Sequence, residues 1–384
     1  MAEGRTRAAW AEIDLDALAH NVAVLAHSAA PAALCAVVKA DAYGHGAVQV
    51  ARTALASGAS GLAVAIADEG LELREHGIEA PVLVLSEVTP DAAEVLVRAR
   101  LTATVATQRG MEALAAAARH VGTRARVHVK VDTGMHRLGV APVEAPALVQ
   151  AAAAEPALRV EAVWTHLAVA DGTTADDQAF TALQLRRFDE VVAALAERPR
   201  LLHVANTAGA IAWPAARYDM VRCGIGMYGC APAPGMPGDA AAVVASLRPV
   251  LSLKARVSAV RELDAGERPS YGRRRALPER GVVATVPIGY ADGVPRRLFD
   301  TGSPVLVGGR RRPLAGTVTM DQLMVDCGPG ATVGPGDEVV LIGRQGEEEI
   351  GAGDWARLLG TISYEVLCGI GPRLPRVYRS AGDR

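Results

Sequence analysis

Between residues 33 and 230, short β-rich runs alternate with alanine-rich amphipathic stretches, and this alternation narrows the possible architectures more than any other feature. The runs are ALCAVVKA, GLAVAI, PVLVLS, LTATVA, ARVHVKV, LRVEAVWTHL, RLLHVAN and DMVRCGIGMYG, eight in order. Helical stretches such as GAVQVARTALASG, ADEGLELREHG and GMEALAAAARH stand between them. Strands separated by helices make parallel βαβ units, and eight of them in about 200 residues favour a closed (β/α)8 barrel, with an open doubly wound sheet as the alternative.

The texture changes at APAPGMPGDAAAVVA, residues 231–245, a Pro/Gly-rich connector. Beyond it lie glycine-punctuated strand patterns, VLSLKARVSAVREL, GVVATVPIGYADG, SPVLVGGRRRPLAG, TMDQLMVDCG and DEVVLIG, with one helical pattern in GDWARLLG. The expected fold class is therefore α/β plus β: an N-terminal TIM-like barrel over residues 12–235 and a C-terminal mainly-β domain over 246–384. The strand-like AWAEIDL precedes the first helix, so residues 8–15 are expected to pair with the β-domain. A chain of 384 residues, half of them apolar, is long enough for two cores.

Charge and cysteine content exclude several classes of function. Forty basic against 42 acidic residues leave a formal charge of -2, so no polycationic surface points to nucleic acid or anionic lipid. A small neutral or zwitterionic partner fits better. The cysteines Cys35, Cys223, Cys230, Cys327 and Cys368 are odd in number and never spaced as CxxC, which argues against a disulfide framework or a zinc site and for a reducing cytoplasm. The first residues hold no apolar core of signal-peptide length, and no later stretch stays apolar long enough to span a bilayer.

In a barrel, chemistry gathers where strands end and loops begin, at the C-terminal face. The polar residues in such places are Lys39 after CAVV, Lys130 with Asp132 and Arg137 in VHVKVDTGMHRLG, His166 in AVWTHLA, Asn206 with Thr207 in LLHVANTAG, and Arg222 in DMVRCGIGMYG. A lone strand-end lysine ordinarily snorkels to water. A lysine desolvated at a barrel mouth instead loses basicity and becomes an amine nucleophile. Tyr43 offers a hydroxyl four residues on, and the GHG that follows lets backbone approach closely and begin a helix. Gly224 and Gly226 in RCGIGMYG leave backbone N–H groups accessible where phosphate sites recur in these barrels, although so short a GxG is more often a turn. A nucleophilic lysine opposite a phosphate site is what pyridoxal 5'-phosphate requires, since it carries an aldehyde and a phosphate on one ring.

The strings VVKADAYGHG, KVDTGMHRLG, HVANTAG, RCGIGMYG, SYG, GYADGVPR, TMDQ and ISYEVLCGIGPRLPRVY together resemble the alanine racemase family, in order and spacing, from about Ile13 to Tyr378. The resemblance implies a pyridoxal 5'-phosphate-dependent isomerase that interconverts L- and D-alanine and supplies D-alanine for peptidoglycan. It implies that Lys39 holds the cofactor and then serves as one catalytic base. Tyr271 of SYG, brought by the partner subunit, is the other, so that one base removes the α-proton and the second delivers a proton from behind.

His166 and Arg222 are implied as support for that tyrosine, with Arg222 also facing the pyridine nitrogen, where a guanidinium cannot accept a proton. The phosphate contacts carry over to Tyr43, Thr207, Gly224, Ile225 and Tyr364, with Thr207 standing where the family usually has serine. Asn206 and Arg137 surround the ring, Arg137 also reaching the substrate carboxylate or the ring hydroxyl. Lys130 is the candidate for the carbamylated lysine common in the family; its alternative is an unmodified lysine paired with Asp132. Met320, through its backbone N–H to the substrate carboxylate, and Asp321 complete the partner's site, and Tyr290 lies in the approach corridor. Val294 replaces a common aromatic residue there, either loosening that approach or only altering a turn. Sites shared in this way make the protein a functional homodimer.

Other readings remain open at this level. A decarboxylase of the same fold type would carry an acidic residue in place of Arg222. A pyridoxal-phosphate carrier without turnover would resemble the barrel alone. A racemase of broader specificity, acting also on serine, differs by only about 1 to 3 kcal/mol of side-chain discrimination.

Overall fold

The computed structural model describes residues 7–236, 238–380 and 382. The chain separates into two compact units: Ala17–Ala42 with Ala47–Arg248, and the described residues up to Asp16 with Tyr43–Gly46 and those from Pro249 onward. Strand β1 (Ala9–Asp14) belongs to the second of these, and the next eight strands to the first.

Those eight are β2 (Ala33–Val37), β3 (Gly61–Val64), β4 (Val82–Glu87), β5 (Thr102–Val105), β6 (Ala125–Lys130), β7 (Leu158–Trp164), β8 (Leu201–His203) and β9 (Met220–Cys223). Among the described residues they form one parallel sheet in the order β8-β7-β6-β5-β4-β3-β2-β9. The two ends of that order meet without a regular ladder: the Asp219 N–H donates to Leu202 O (3.1 Å) and the Arg222 N–H to Ala205 O (2.9 Å). The sheet is therefore a nearly closed barrel, the architecture expected from the alternation. Its strands are buried on both faces, as the run GLAV of β3 shows, because helices cover the outside and side chains fill the inside. In β6 the period of two places Arg126, His128 and Lys130 on one face, a polar column along an otherwise apolar strand.

The second unit is mainly β. Its remaining strands are β10 (Leu251–Arg256), β11 (Ala259–Leu263), β12 (Gly281–Val286), β13 (Pro304–Val307), β14 (Arg310–Pro313), β15 (Leu323–Gly328), β16 (Glu338–Gln345), β17 (Glu348–Ile350) and β18 (Arg376–Arg379). The larger sheet runs β14-β13-β16-β10-β1-β18, with β17 on β16, and the smaller β11-β12-β15. β1 lies antiparallel to β10 and parallel to β18. The continuous pattern VLSLKARVSAVREL thus breaks into two strands that serve different sheets.

Two local features differ from the sequence reading. The second half of the 231–245 connector is helical (Asp239–Ser246), alanine propensity prevailing once the Pro/Gly run ends. The segment after Lys39 is a single left-handed turn, with φ between 51° and 54° at Ala40, Asp41, Ala42 and Tyr43 and 80° at Gly44; the ordinary helix starts only at Ala47. Left-handed geometry costs roughly 1 to 2 kcal/mol per L-residue. Glu69 offsets part of that cost by accepting from the Ala40 N–H (2.6 Å), and Asp41 accepts from the Ala47 N–H (2.7 Å).

Candidate active site

At the C-terminal ends of the barrel strands four cations stand within electrostatic reach of one another. Lys39 lies two residues beyond the end of β2, Lys130 ends β6, Arg137 lies in the loop beyond it, and Arg222 lies within β9. Burial, then the charges of Arg137 and Arg222, draw the Lys130 ammonium down to about 8; Asp132 opposes them, and Lys39 adds a smaller downward push. Lys130 is 3% exposed and its Nζ sits 4.5 Å above the Trp164 ring. Asp132 spends one oxygen on the Gly134 and His136 N–H groups, both at 3.0 Å, and the other faces His136, so it forms no ion pair with Lys130.

Arg222, also 3% exposed, has neutral acceptors for its hydrogen bonds. One Nη donates to His203 Nδ1 (2.8 Å); the other donates to Thr165 O (2.9 Å), Val204 O (3.0 Å) and His166 Nδ1 (3.1 Å). Its planar head lies 4.6 Å from the Trp164 ring. Burial lowers Arg222 to about 10, which still leaves it charged at neutral pH. Burial first and Arg222 second hold both His166 and His203 well below the usual imidazole range, so both are neutral. Since arginine only donates, each Nδ1 that accepts from Arg222 leaves its proton on Nε2. His203 then donates from Nε2 to His128 Nδ1 (3.0 Å), and His128, drawn down to about 3 by burial, is neutral as well.

His128, His203 and Trp164 were not singled out from the sequence. Their signal was strand parity: His128 stands two residues before Lys130, on the same face of β6, and Trp164 is the register partner of Lys130.

Around β9 the backbone narrows. The Gly224 N–H donates to Thr207 Oγ1 (3.0 Å), and a Cβ on Gly226 would lie 2.7 Å from Thr207 Cγ2. Thr207 and Ile225 are buried, and Asn206 caps the following helical turn by accepting from the Gly209 N–H (2.9 Å). A pyridoxal phosphate fits this donor set, with an amine at Lys39, hydroxyl and backbone N–H groups around Thr207 and Gly224, and a buried cation with no carboxylate partner for an electron-rich ring.

The β-unit holds the other candidates. Tyr43 packs against Tyr364 with ring centroids 6.0 Å apart, and Gly44 O accepts from Arg376 Nε (3.0 Å). Tyr271 is 74% exposed. It is held between left-handed residues, Ser270 (φ 71°) and Gly272 (φ 76°), with Ser270 Oγ donating to Thr317 O (2.6 Å). Tyr290 and Met320 are exposed on interlocked loops, the Tyr290 N–H donating to Thr319 O and the Ala291 N–H to Met320 O, both 3.0 Å. Asp321 pairs with Arg373 at 2.7 Å. Val294 is fully buried and donates to Gly289 O (3.2 Å), so it closes a turn and packs inward. Among the described residues no group of three or more His, Cys, Asp and Glu could hold a metal, and no helix is long and apolar enough to cross a membrane.

The chain is similar over nearly its whole length to known proteins. Residues 13–232 match the family "Alanine racemase, N-terminal domain" and residues 250–378 match "Alanine racemase, C-terminal domain". The alanine racemase of Symbiobacterium thermophilum is 47% identical over 375 residues, 97% of each chain. Among solved structures, alanine racemase from Streptomyces coelicolor superposes with a TM-score of 0.88 at 42% identity, covering 97% of this chain and 98% of that one. A histidine racemase from Leuconostoc mesenteroides also superposes, with a TM-score of 0.88 at 31% identity over 98% of this chain and 99% of that one. By fold, by strand-end chemistry and by identity across both domains, the chain belongs to the alanine racemase family.

Proposed function

We propose that the protein interconverts L- and D-alanine with pyridoxal 5'-phosphate, through two bases of which one comes from a second copy of the chain. The observation that carries this reading is Arg222, a buried cation held by neutral imidazoles and carbonyls at the mouth that also holds Lys39. Lys39 would hold the cofactor, Thr207, Gly224, Ile225, Tyr43 and Tyr364 its phosphate, and Asn206 and Arg137 the ring. When bound, pyridoxal 5'-phosphate supplies an aldehyde for the substrate amine and a conjugated ring that spreads the electron pair left by the departing α-proton.

The remaining work falls to side chains. Arg222 offers only N–H groups, so it would not supply the carboxylate that keeps a ring nitrogen protonated, and electron density would be drawn less deeply into a cofactor ring held against it. Reprotonation then returns to the α-carbon. The Lys39 amine takes or delivers the proton on one side, and the partner subunit's Tyr271 does so on the other. His166, carrying its proton on Nε2, can donate to that phenol oxygen and stabilise its ionised form. The Met320 N–H, which makes no hydrogen bond among the described residues, is available for the substrate carboxylate.

Lys130 is the residue for carbamylation. An ammonium lowered to about 8 is partly neutral under ordinary conditions, the form that attacks carbon dioxide, and the product anion would face Arg137. The homodimer, the cytoplasmic location and the supply of D-alanine for peptidoglycan follow from the same reading.

A broader side-chain range is the second reading. It is favoured by the inward packing of Val294, which takes that side chain away from the surface where Tyr290 is exposed. One experiment tests both: L-alanine, L-serine and L-histidine are incubated separately with the cofactor-loaded protein in D2O and followed by proton NMR and chiral chromatography. D-alanine deuterated at Cα is the expected product. L-alanine unchanged in both respects, with cofactor verified bound, would overturn the proposal, and comparable turnover of serine or histidine would establish the second reading.

A further inference from the structure

At the N-terminal ends of the barrel strands, opposite the mouth, a basin of about 570 Å3 opens among Arg74, Arg100, Arg124, Arg126 and Arg159. Glu79 is the acidic residue among the described residues that line it. The chain places these arginines together for geometric reasons. Arg124 and Arg126 straddle the first residue of β6, Arg159 is the second residue of β7, and Arg100 lies two residues before β5. Arg126 and Arg159 are register partners on adjacent strands, a like-charged juxtaposition that destabilises a sheet unless something compensates it.

The compensation within the chain is incomplete. Glu79 pairs with Arg100 at 2.7 Å, and Glu161 pairs with Arg159 at 3.3 Å. Arg74 is consumed by carbonyls, donating to Ala99 O (2.9 Å), Ala80 O (3.0 Å), Arg100 O (3.2 Å) and Ile78 O. Arg124 donates to Leu158 O and Arg126 to Arg100 O, each at 2.7 Å, and neither has an acidic partner among the described residues. Each of these two therefore keeps most of its five N–H donors. Exposed arginines on a convex surface would simply be solvated. Here they ring a concavity against the apolar side chains of Val97 and Leu101, and a low-dielectric wall focuses their field into the basin.

We propose that this basin is a binding site for a di- or triphosphate group, separate from any phosphate site at the barrel mouth. Guanidinium forks match phosphate oxygens in pairs, and several forks around one concavity suit a polyvalent anion better than a single phosphate. Free polyphosphate and a nucleoside triphosphate share that chemistry; Val97 and Leu101 close the bottom of the basin but are 5% and 3% exposed, leaving a nucleoside only a narrow apolar edge.

The test is isothermal titration of the protein, first saturated with pyridoxal 5'-phosphate so that phosphate donors at the mouth are filled, with sodium triphosphate and separately with ATP, at fixed ionic strength. Saturable binding of one triphosphate per chain is expected. It should weaken at least tenfold in Arg100→Ala/Arg124→Ala and severalfold in Arg124→Lys, which keeps the charge and loses the fork. Equal affinity for triphosphate and ATP would assign recognition to the phosphates alone, and tighter ATP binding would add the apolar edge; both support the site. Heats no larger than those of sodium chloride at matched ionic strength, or affinity unchanged in the double variant with its circular dichroism intact, would overturn it.

Discussion

The two ends of the barrel both gather positive charge, and they handle it in opposite ways. At the mouth, Lys130 and Arg222 are almost fully buried, bonded to neutral imidazoles and carbonyls or stacked on Trp164. At the floor, Arg100 and Arg159 remain largely exposed and pair with glutamates. Desolvation rather than the number of cations separates the two. A buried cation without a counter-ion costs several kcal/mol and persists where a ligand or a reaction uses it. An exposed pair contributes about 1 kcal/mol or less and leaves the cation available to solvent anions.

The largest expected effect tests whether the mouth is the reacting end. Lys39→Ala should abolish the visible absorbance of the lysine-bound cofactor and lower racemisation by about 10^4-fold or more, beyond the usual loss of one acid–base group. An unchanged cofactor spectrum would remove Lys39 from its role. Next, Tyr271→Ala should leave cofactor binding intact while slowing proton removal from L-alanine by about 10^2- to 10^4-fold. Normal turnover of L-alanine would take this tyrosine out of the mechanism.

Lys130 sharpens the comparison through stability. Because its folded value lies near 8, below that of the unfolded chain, its burial costs stability in full below pH 8, and the cost is relieved as pH rises towards about 10.5. In carbon-dioxide-free buffer at pH 7, Lys130→Met should stabilise the cofactor-free protein by about 2 kcal/mol, a gain that fades above pH 8. In bicarbonate the order should reverse, since the substitution then removes an anion facing Arg137. Denaturant titrations across this range decide it, and a variant less stable in both buffers would contradict the assignment.

The buried histidines carry a pH dependence of the same sign in a lower window. His203 is neutral in the fold, so the unfolded chain takes up the proton first and stability falls as pH drops below about 6.5. His203→Gln should flatten the loss between pH 7 and pH 5 by about 1 to 2 kcal/mol. An unchanged slope would mean that the imidazole is already charged in the fold. At the floor, Arg100→Ala should cost less than about 1 kcal/mol and leave racemisation unaltered; a larger loss would show that the exposed pair with Glu79 is not the weak contact its exposure implies.

Much of this was legible beforehand. The eight apolar runs between residues 33 and 230 named the barrel strands because a parallel strand buried on both faces must be nearly continuous in Val, Ala and Leu. The polar residues closing those runs pointed to one face because the end of every strand in a parallel barrel opens on the same side. The left-handed turn at Ala40–Tyr43 was not legible, since of ADAY only Asp41 is a residue that readily adopts positive φ, and then singly; it is held by Glu69, 29 residues away. Val294 stood in a stretch that family resemblance associates with the approach corridor, yet it packs inward.

By itself, the sequence determined the strand–helix alternation, the change to a β-rich second part and the identity of the strand-end side chains, all of which depend on local periodicity. Only the tertiary structure decided the protonation states. Whether Arg222 meets a carboxylate or an imidazole, and whether Lys130 is solvated or pressed on Trp164, depends on which residues of β6, β7, β8 and β9 come to the same level inside the barrel. That level is set by sheet register, including the irregularity between Val127 and His128, and register is a property of paired strands that no single strand carries.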